Sequence, residues 1–181
     1  MKVLLVVDID YYDHWRPEIV QENASKKKVA LSLQNKLNDA RKSGELIVFV
    51  TLHLQYSGQE MQLSKNGQCI GCDGVHENKL AEFLQHRHDD EPIFCKNTAD
   101  AFYNANLGKY LKLKGVTELL LAGGSTFECI QATAEGALQQ GFHVKLLREC
   151  IYPPFYNNDE QYWLKMVEPY KPSNDVSVEI I

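Results

Sequence analysis

Apolar positions along the chain fall into short, nearly continuous runs separated by stretches with helical spacing. Runs of strand length occupy Val3–Val7, Leu46–Leu52, Ile93–Cys95, Leu119–Ala122 and Val144–Leu147, and "VSVEII" near the C-terminus offers a sixth. Unbroken rather than alternating runs are what a parallel sheet covered on both faces requires, because neither strand face meets water. Helical patterns lie between them. Residues 19–42 stop at Ser43 and Gly44, residues 78–87 form a shorter stretch, and residues 107–114 stop at Gly115. Another helix starts at Ser125 or Thr126 and ends at Gly141, with Ile130, Ala134, Ala137 and Leu138 on its inner face and Ser125 and Glu128 spaced as a capping box. This alternation predicts a three-layer α/β/α, Rossmann-like fold built on a mainly parallel sheet of about six strands. Residues 56–76, rich in Gly, Gln and Ser, make the longest irregular stretch, and loops of that length commonly serve a site.

Composition narrows the setting. With 181 residues the chain can bury a full core, and a single domain over residues 1–181 is expected. A net charge of -5 argues against a nucleic-acid partner, because neutralising phosphates needs clustered Lys and Arg. The one basic run, Lys26-Lys27-Lys28, reads as a solvated helix face. The N-terminal apolar run stops at Asp8 with no small-residue cleavage site behind it, so it reads as a strand rather than a signal peptide. No segment approaches the ~18 apolar residues of a membrane span. A cytoplasmic protein without a membrane partner is the expectation, and five cysteines, an odd number, then suit free thiols better than a disulfide framework.

Parallel α/β folds place ligands at the carboxyl ends of their strands. Three reactive side chains fall there: Asp8 after the first run, Lys96 at the end of "PIFCK", and Cys129 after "LLLAGG". Cys129 sits in the first turn of a helix, where free N–H groups and the positive end of the dipole favour thiolate over thiol and could hold an oxyanion. Gly123 and Gly124 remove side chains where a substrate would approach the backbone. Asp8 can act as base and Lys96 can stabilise the thiolate, which makes a chemically complete set. Equally, a cysteine in the first turn of a buried helix can be a small core residue.

The residues then point to a family. "VVDID", "KNTADAF" with Lys96 and Phe102, and "GGSTFECIQATAEGAL", in that order across nearly the whole chain, resemble the isochorismatase-like cysteine hydrolases, which include nicotinamidases and carbamoyl-amide hydrolases. The resemblance implies a catalytic triad of Asp8, Lys96 and Cys129. It also implies a cis peptide at Gly124–Ser125, and an oxyanion hole formed by the backbone N–H groups of Ser125 and Cys129. The implied reaction is thiolate attack on an amide-type carbonyl, loss of ammonia or an amine, and hydrolysis of the thioester, with no cofactor. A small-molecule substrate and a homo-oligomer are implied as well. The chain departs from the family pattern at three places. Asp10 stands where Gln is common and could meet a cationic substrate group. Asp100 replaces a usual Ser before "AF". Thr51 and His53 stand where the nicotinamidase metal site has an Asp-x-His pair, so no metal is expected.

Substrate contacts are assigned to Asp10, Trp15, Phe102 and Gly124, with Tyr11, Tyr12, His14 and Trp15 as aromatics that could wall a pocket. Cys69, Cys72 and His76 form half of a zinc-like spacing, with further ligands to be sought among His86, His88 and Cys95. "YPPFYNN", residues 152–158, reads as a rigid turn. Two other functions stay open: a catalytically silent binding or assembly protein of the same fold, and a zinc-stabilised or redox-sensing module.

Overall fold

The computed structural model describes residues 1–9, 15, 17–52, 84, 90–96, 98–103 and 105–181. A six-stranded sheet runs β3-β2-β1-β4-β5-β6, all neighbours parallel: β1 is Lys2–Val7, β2 Leu46–Leu52, β3 Ile93–Lys96, β4 Glu118–Gly124, β5 His143–Tyr152 and β6 Val178–Ile180. The expected fold class is therefore the observed one. Strand period 2 splits β1 between two cores. Val3, Leu5 and Val7 face α3 (Ala105–Leu113), α4 (Gln131–Gln139) and α5 (Asp159–Val167), whereas Leu4 and Val6 face α2 (Ala24–Ser43). Leu4 and Leu5 are fully buried. Burial of each such side chain stabilises the fold by about 1.5–3 kcal/mol, which is why the unbroken apolar runs end up central.

Several local readings change. The helical stretch at residues 19–42 is two helices, α1 (Pro17–Glu22) and α2. Asn23 between them is extended, and its Oδ1 accepts the Lys26 N–H at 3.0 Å, so an N-cap restarts the chain where periodicity alone runs on. Gly44 closes α2 with φ 67°, as its stop signal predicts. The expected capping box is absent. Ser125 makes no side-chain cap bond, and Thr126–Ile130 is a π-helical turn in which the Ser125 carbonyl accepts the Ile130 N–H at 3.0 Å; α4 proper begins only at Gln131. The helix α5, not foreseen from the pattern, buries Trp163 and Val167. Cys129 and Cys150 are free thiols, but Cys95 is disulfide-bonded, which corrects the expectation of free thiols there. The helical stretch at residues 78–87 lies outside the described residues apart from Leu84. Among the described residues, no helix is long and apolar enough to cross a membrane.

Candidate active site

The parallel sheet brings five strand ends to one rim. Asp8 follows β1 with φ 52°, a left-handed conformation that Asp tolerates better than most residues, and its N–H still bonds the Val50 carbonyl of β2 at 2.8 Å. The backbone thus leaves the strand abruptly with the side chain held at the rim. Lys96 ends β3, paired with Leu52, and its long stem spans the end of β2 to reach the Asp8 carboxylate at 2.8 Å. The pair is buried, with side-chain exposures of 1% for Lys96 and 13% for Asp8. The Lys96 ammonium also donates to the carbonyls of Thr98 and Ala99 at 3.0 and 3.1 Å, so each of its three N–H groups has an acceptor.

On the other side of β1, β4 carries the two glycines into the turn that holds Cys129. Gly123, with φ 122°, lies so close to β1 that an added Cβ would sit 1.9 Å from the Val7 carbonyl oxygen; no other residue fits. Gly124 pairs with Tyr152 of β5, and the Gly124–Ser125 peptide is cis, as the resemblance implies. The π turn is anchored at its start: the Thr126 hydroxyl donates to the Pro153 carbonyl, and the buried Trp163 indole N–H donates to the Thr126 carbonyl at 3.1 Å. Nothing in the local sequence around Cys129 announced these two anchors, because they come from β5's end and from α5.

Cys129 is half-buried and lies close enough to Asp8 and Lys96 for both to act on its thiol. The three predicted catalytic residues are therefore brought together. Their electrostatics differ from the expected thiolate. Burial, then the Asp8 charge and its hydrogen bond, push the Cys129 thiol up to about 11, against the opposing pull of Lys96. Desolvation and an adjacent carboxylate outweigh any preference from the turn's N–H groups. At neutral pH the sulfur carries its proton, with a carboxylate beside it.

The other predicted residues are placed unevenly. Trp15 is buried, edge-on to Tyr152 at 5.8 Å, with the Lys26 ammonium over both rings at 5.6 and 5.0 Å. This puts Trp15 beside the β5 end of the rim. Phe102 is 4% exposed and packs on Phe142 at 5.6 Å, so its ring lies in the core rather than on an open pocket wall. Asp10, Tyr11, Tyr12, His14, His53, Cys69, Cys72, His76, His86 and His88, and with them the 56–76 loop, lie outside the described residues. Among the described residues no group of three His, Cys, Asp or Glu side chains could hold a metal. Thr51, where the resemblance sets the first residue of the nicotinamidase Asp-x-His pair, is buried with its neutral hydroxyl 3.9 Å from the Cys95 sulfur.

In the sequence Asp100 stands out only as a departure from the family pattern; the structure gives it a surrounding. Its carboxylate accepts the Phe102 N–H at 2.7 Å. Burial raises its pKa to about 6, opposed by that hydrogen bond and by Lys96 and reinforced by Glu135. The folded value lies above the unfolded 3.8, so the associated stability is complete below pH 3.8 and is lost as pH rises through 6. Asp100→Asn keeps an acceptor without the charge. It should be more stable than the wild type by about 1–2 kcal/mol at pH 8, after discounting the partial exposure. The gap should close as pH falls through 6 toward 4; urea unfolding at several pH values measures it, and a pH-independent gap would refute burial of the charge as its cause.

Comparisons with known proteins give the family and the fold. Residues 2–170 match the isochorismatase domain family model. Over 81 residues the chain is 38% identical to a maleamate amidohydrolase of Pseudomonas putida, and over 105 residues it is 28% identical to a probable inactive nicotinamidase of Arabidopsis thaliana. These alignments take in 44% and 55% of this chain but only 38% and 54% of those proteins. Two solved structures share the fold over nearly their whole length. The N-carbamoylsarcosine amidase of Thermoplasma acidophilum has a TM-score of 0.71 at 16% identity, covering 99% of this chain and 95% of that one. The pyrazinamidase of Pyrococcus horikoshii, in complex with zinc, has a TM-score of 0.68 at 22% identity, covering 99% and 98%.

Proposed function

Because the chain belongs to the isochorismatase family, we propose that it is a cysteine hydrolase that cleaves the C–N bond of a small amide or carbamoyl-type substrate through a thioester. The observation that carries this reading is the buried Lys96–Asp8 ion pair, near enough to the Cys129 thiol for both charges to act on it. A resting thiol and an adjacent carboxylate make Asp8 the general base: it takes the Sγ proton as sulfur attacks the carbonyl carbon. Negative charge passes to the carbonyl oxygen, where the Ser125 and Cys129 N–H groups would receive it. Asp8 then returns the proton to the leaving nitrogen, and ammonia or an amine departs. Water attacks the thioester, again losing a proton to Asp8, and the released sulfur is reprotonated. Lys96 keeps one positive charge beside a site whose negative charge moves from carboxylate to sulfur to oxygen. Gly124 leaves room for the substrate carbonyl, while Trp15 and Asp10 are the proposed contacts to its other end.

No step calls on a metal. The pyrazinamidase relative is in complex with zinc, but Thr51 here supplies a buried neutral hydroxyl, which is not among the usual zinc donors. The test is ammonia release over a panel that includes maleamate, N-carbamoylsarcosine, nicotinamide and pyrazinamide, with acid-quenched protein weighed by mass spectrometry. Turnover with an acyl adduct on the Cys129 peptide is expected. Turnover without any adduct, with chelator abolishing it, would replace this reading by a metal-dependent one.

A further inference from the structure

The Lys96 ammonium is held by two carbonyls as well as by Asp8, and those carbonyls belong to the turn after β3. Whatever fixes that turn fixes the cation. Thr98 Oγ1 donates to the Asp100 carbonyl at 3.0 Å, and Asp100 Oδ1 accepts the Phe102 N–H at 2.7 Å, closing the turn on itself. Three further bonds tie it to α4 and the residue that ends it: Thr133 Oγ1 accepts the Ala101 N–H at 3.2 Å and donates to the Ala99 carbonyl at 3.5 Å, and Gln140 Nε2 donates to the Phe102 carbonyl at 3.5 Å. The cradle of Lys96 and the turn bearing Cys129 are therefore mounted on the same helix.

Asp100 is fitted to that helix by a missing side chain. A Cβ on Gly136 would lie 2.5 Å from both carboxylate oxygens of Asp100, and its three nearest neighbours would all be Asp100 atoms. The carboxylate cannot swing aside without giving up the Phe102 N–H. We propose that Asp100, seated against Gly136, is a positioning residue for Lys96, holding the 98–102 turn whose carbonyls grip the ammonium. The inference rests on the catalytic reading of Lys96 above. Its charge environment is set by Lys96 on β3 and Glu135 on α4, and burial makes the ionised carboxylate costly. The groups that shift the Cys129 thiol are Asp8 and Lys96, with no direct contribution from Asp100. A looser hold on Lys96 should then register at that thiol.

That separation supplies the experiment: the rate of Cys129 alkylation by iodoacetamide across pH, read on the Cys129 peptide by mass spectrometry. Asp100→Ala and Gly136→Ala should each slow the reaction by about tenfold at pH 8, the effect of one unit of thiol pKa. The double variant should be no slower than Asp100→Ala alone, because the notch matters only while the carboxylate fills it. Asp100→Asn, which keeps the acceptor, should react at the wild-type rate. Unchanged profiles in both single variants, effects that simply multiply, or an Asp100→Asn as slow as Asp100→Ala would each overturn the proposal. Gly136→Ala retains every polar group, so it carries the test even where Asp100→Ala does not fold. Lys96→Met serves as the control: if it leaves the profile unchanged, the triad reading fails, whereas a shift there with none in the other variants defeats the positioning role alone.

Discussion

Cys129→Ala is expected to abolish amide hydrolysis, lowering kcat by roughly 10⁴-fold or more, while the protein stays folded. The activity loss would follow from the proposed covalent step, since no other described free thiol approaches Asp8 and Lys96: Cys150 lies in the opposite core, against α2. The fold should survive because Cys129 is only half-buried and its π turn is held by Thr126 and Trp163, not by the sulfur. Cys129→Ser should be nearly as inert. A hydroxyl is a far weaker acid than a thiol already pushed up to about 11, and a carboxylate base cannot make up the difference. Ammonia release and a thermal melt, measured side by side, decide the matter. Activity within tenfold of wild type at unchanged melting temperature would remove cysteine from the mechanism.

Lys96→Met should be the most destabilising substitution in the triad. Methionine matches the stem's volume but leaves the Asp8 carboxylate without its 2.8 Å partner, takes the Lys96 donor from the Thr98 carbonyl, and leaves the Ala99 carbonyl with only the longer bond from the Thr133 hydroxyl. Breaking a buried ion pair by removing one member costs about 3–5 kcal/mol, because the remaining charge is stranded. Asp8 keeps a little exposure, so a loss of about 3 kcal/mol at pH 8 is expected from urea unfolding. The Cys129 thiol, deprived of the one group that lowers its pKa, should also be harder to ionise, and alkylation correspondingly slower. A loss below about 1 kcal/mol would mean that water, not Lys96, compensates the Asp8 charge.

The sheet was legible because every central strand is buried on both faces, and that requirement writes itself into consecutive residues such as Val3–Val7 and Leu119–Ala122. Boundaries were less so. Asn23 interrupts a pattern that continues across it, since capping is a matter of one backbone conformation and one hydrogen bond rather than of period. The Ser125–Glu128 spacing misled for a related reason: the π turn uses the Ser125 carbonyl where a capping box would use its hydroxyl. The helix α5 is not legible because its buried positions, Trp163 and Val167, are few and sit among exposed Tyr162 and Met166.

By itself the sequence determined the layers, the parallel sheet and the three residues that reach its rim, because strand burial, the glycine pair and the family motifs are all local in the chain. What only the tertiary structure decided is the chemistry of those residues. Whether Cys129 is thiol or thiolate depends on how deeply it is buried and how close Asp8 and Lys96 stand, quantities set by contacts between residues far apart in the chain. The same holds for Asp100, whose meaning appeared only when the turn after β3 was laid against Gly136 of α4, which has no side chain to oppose it.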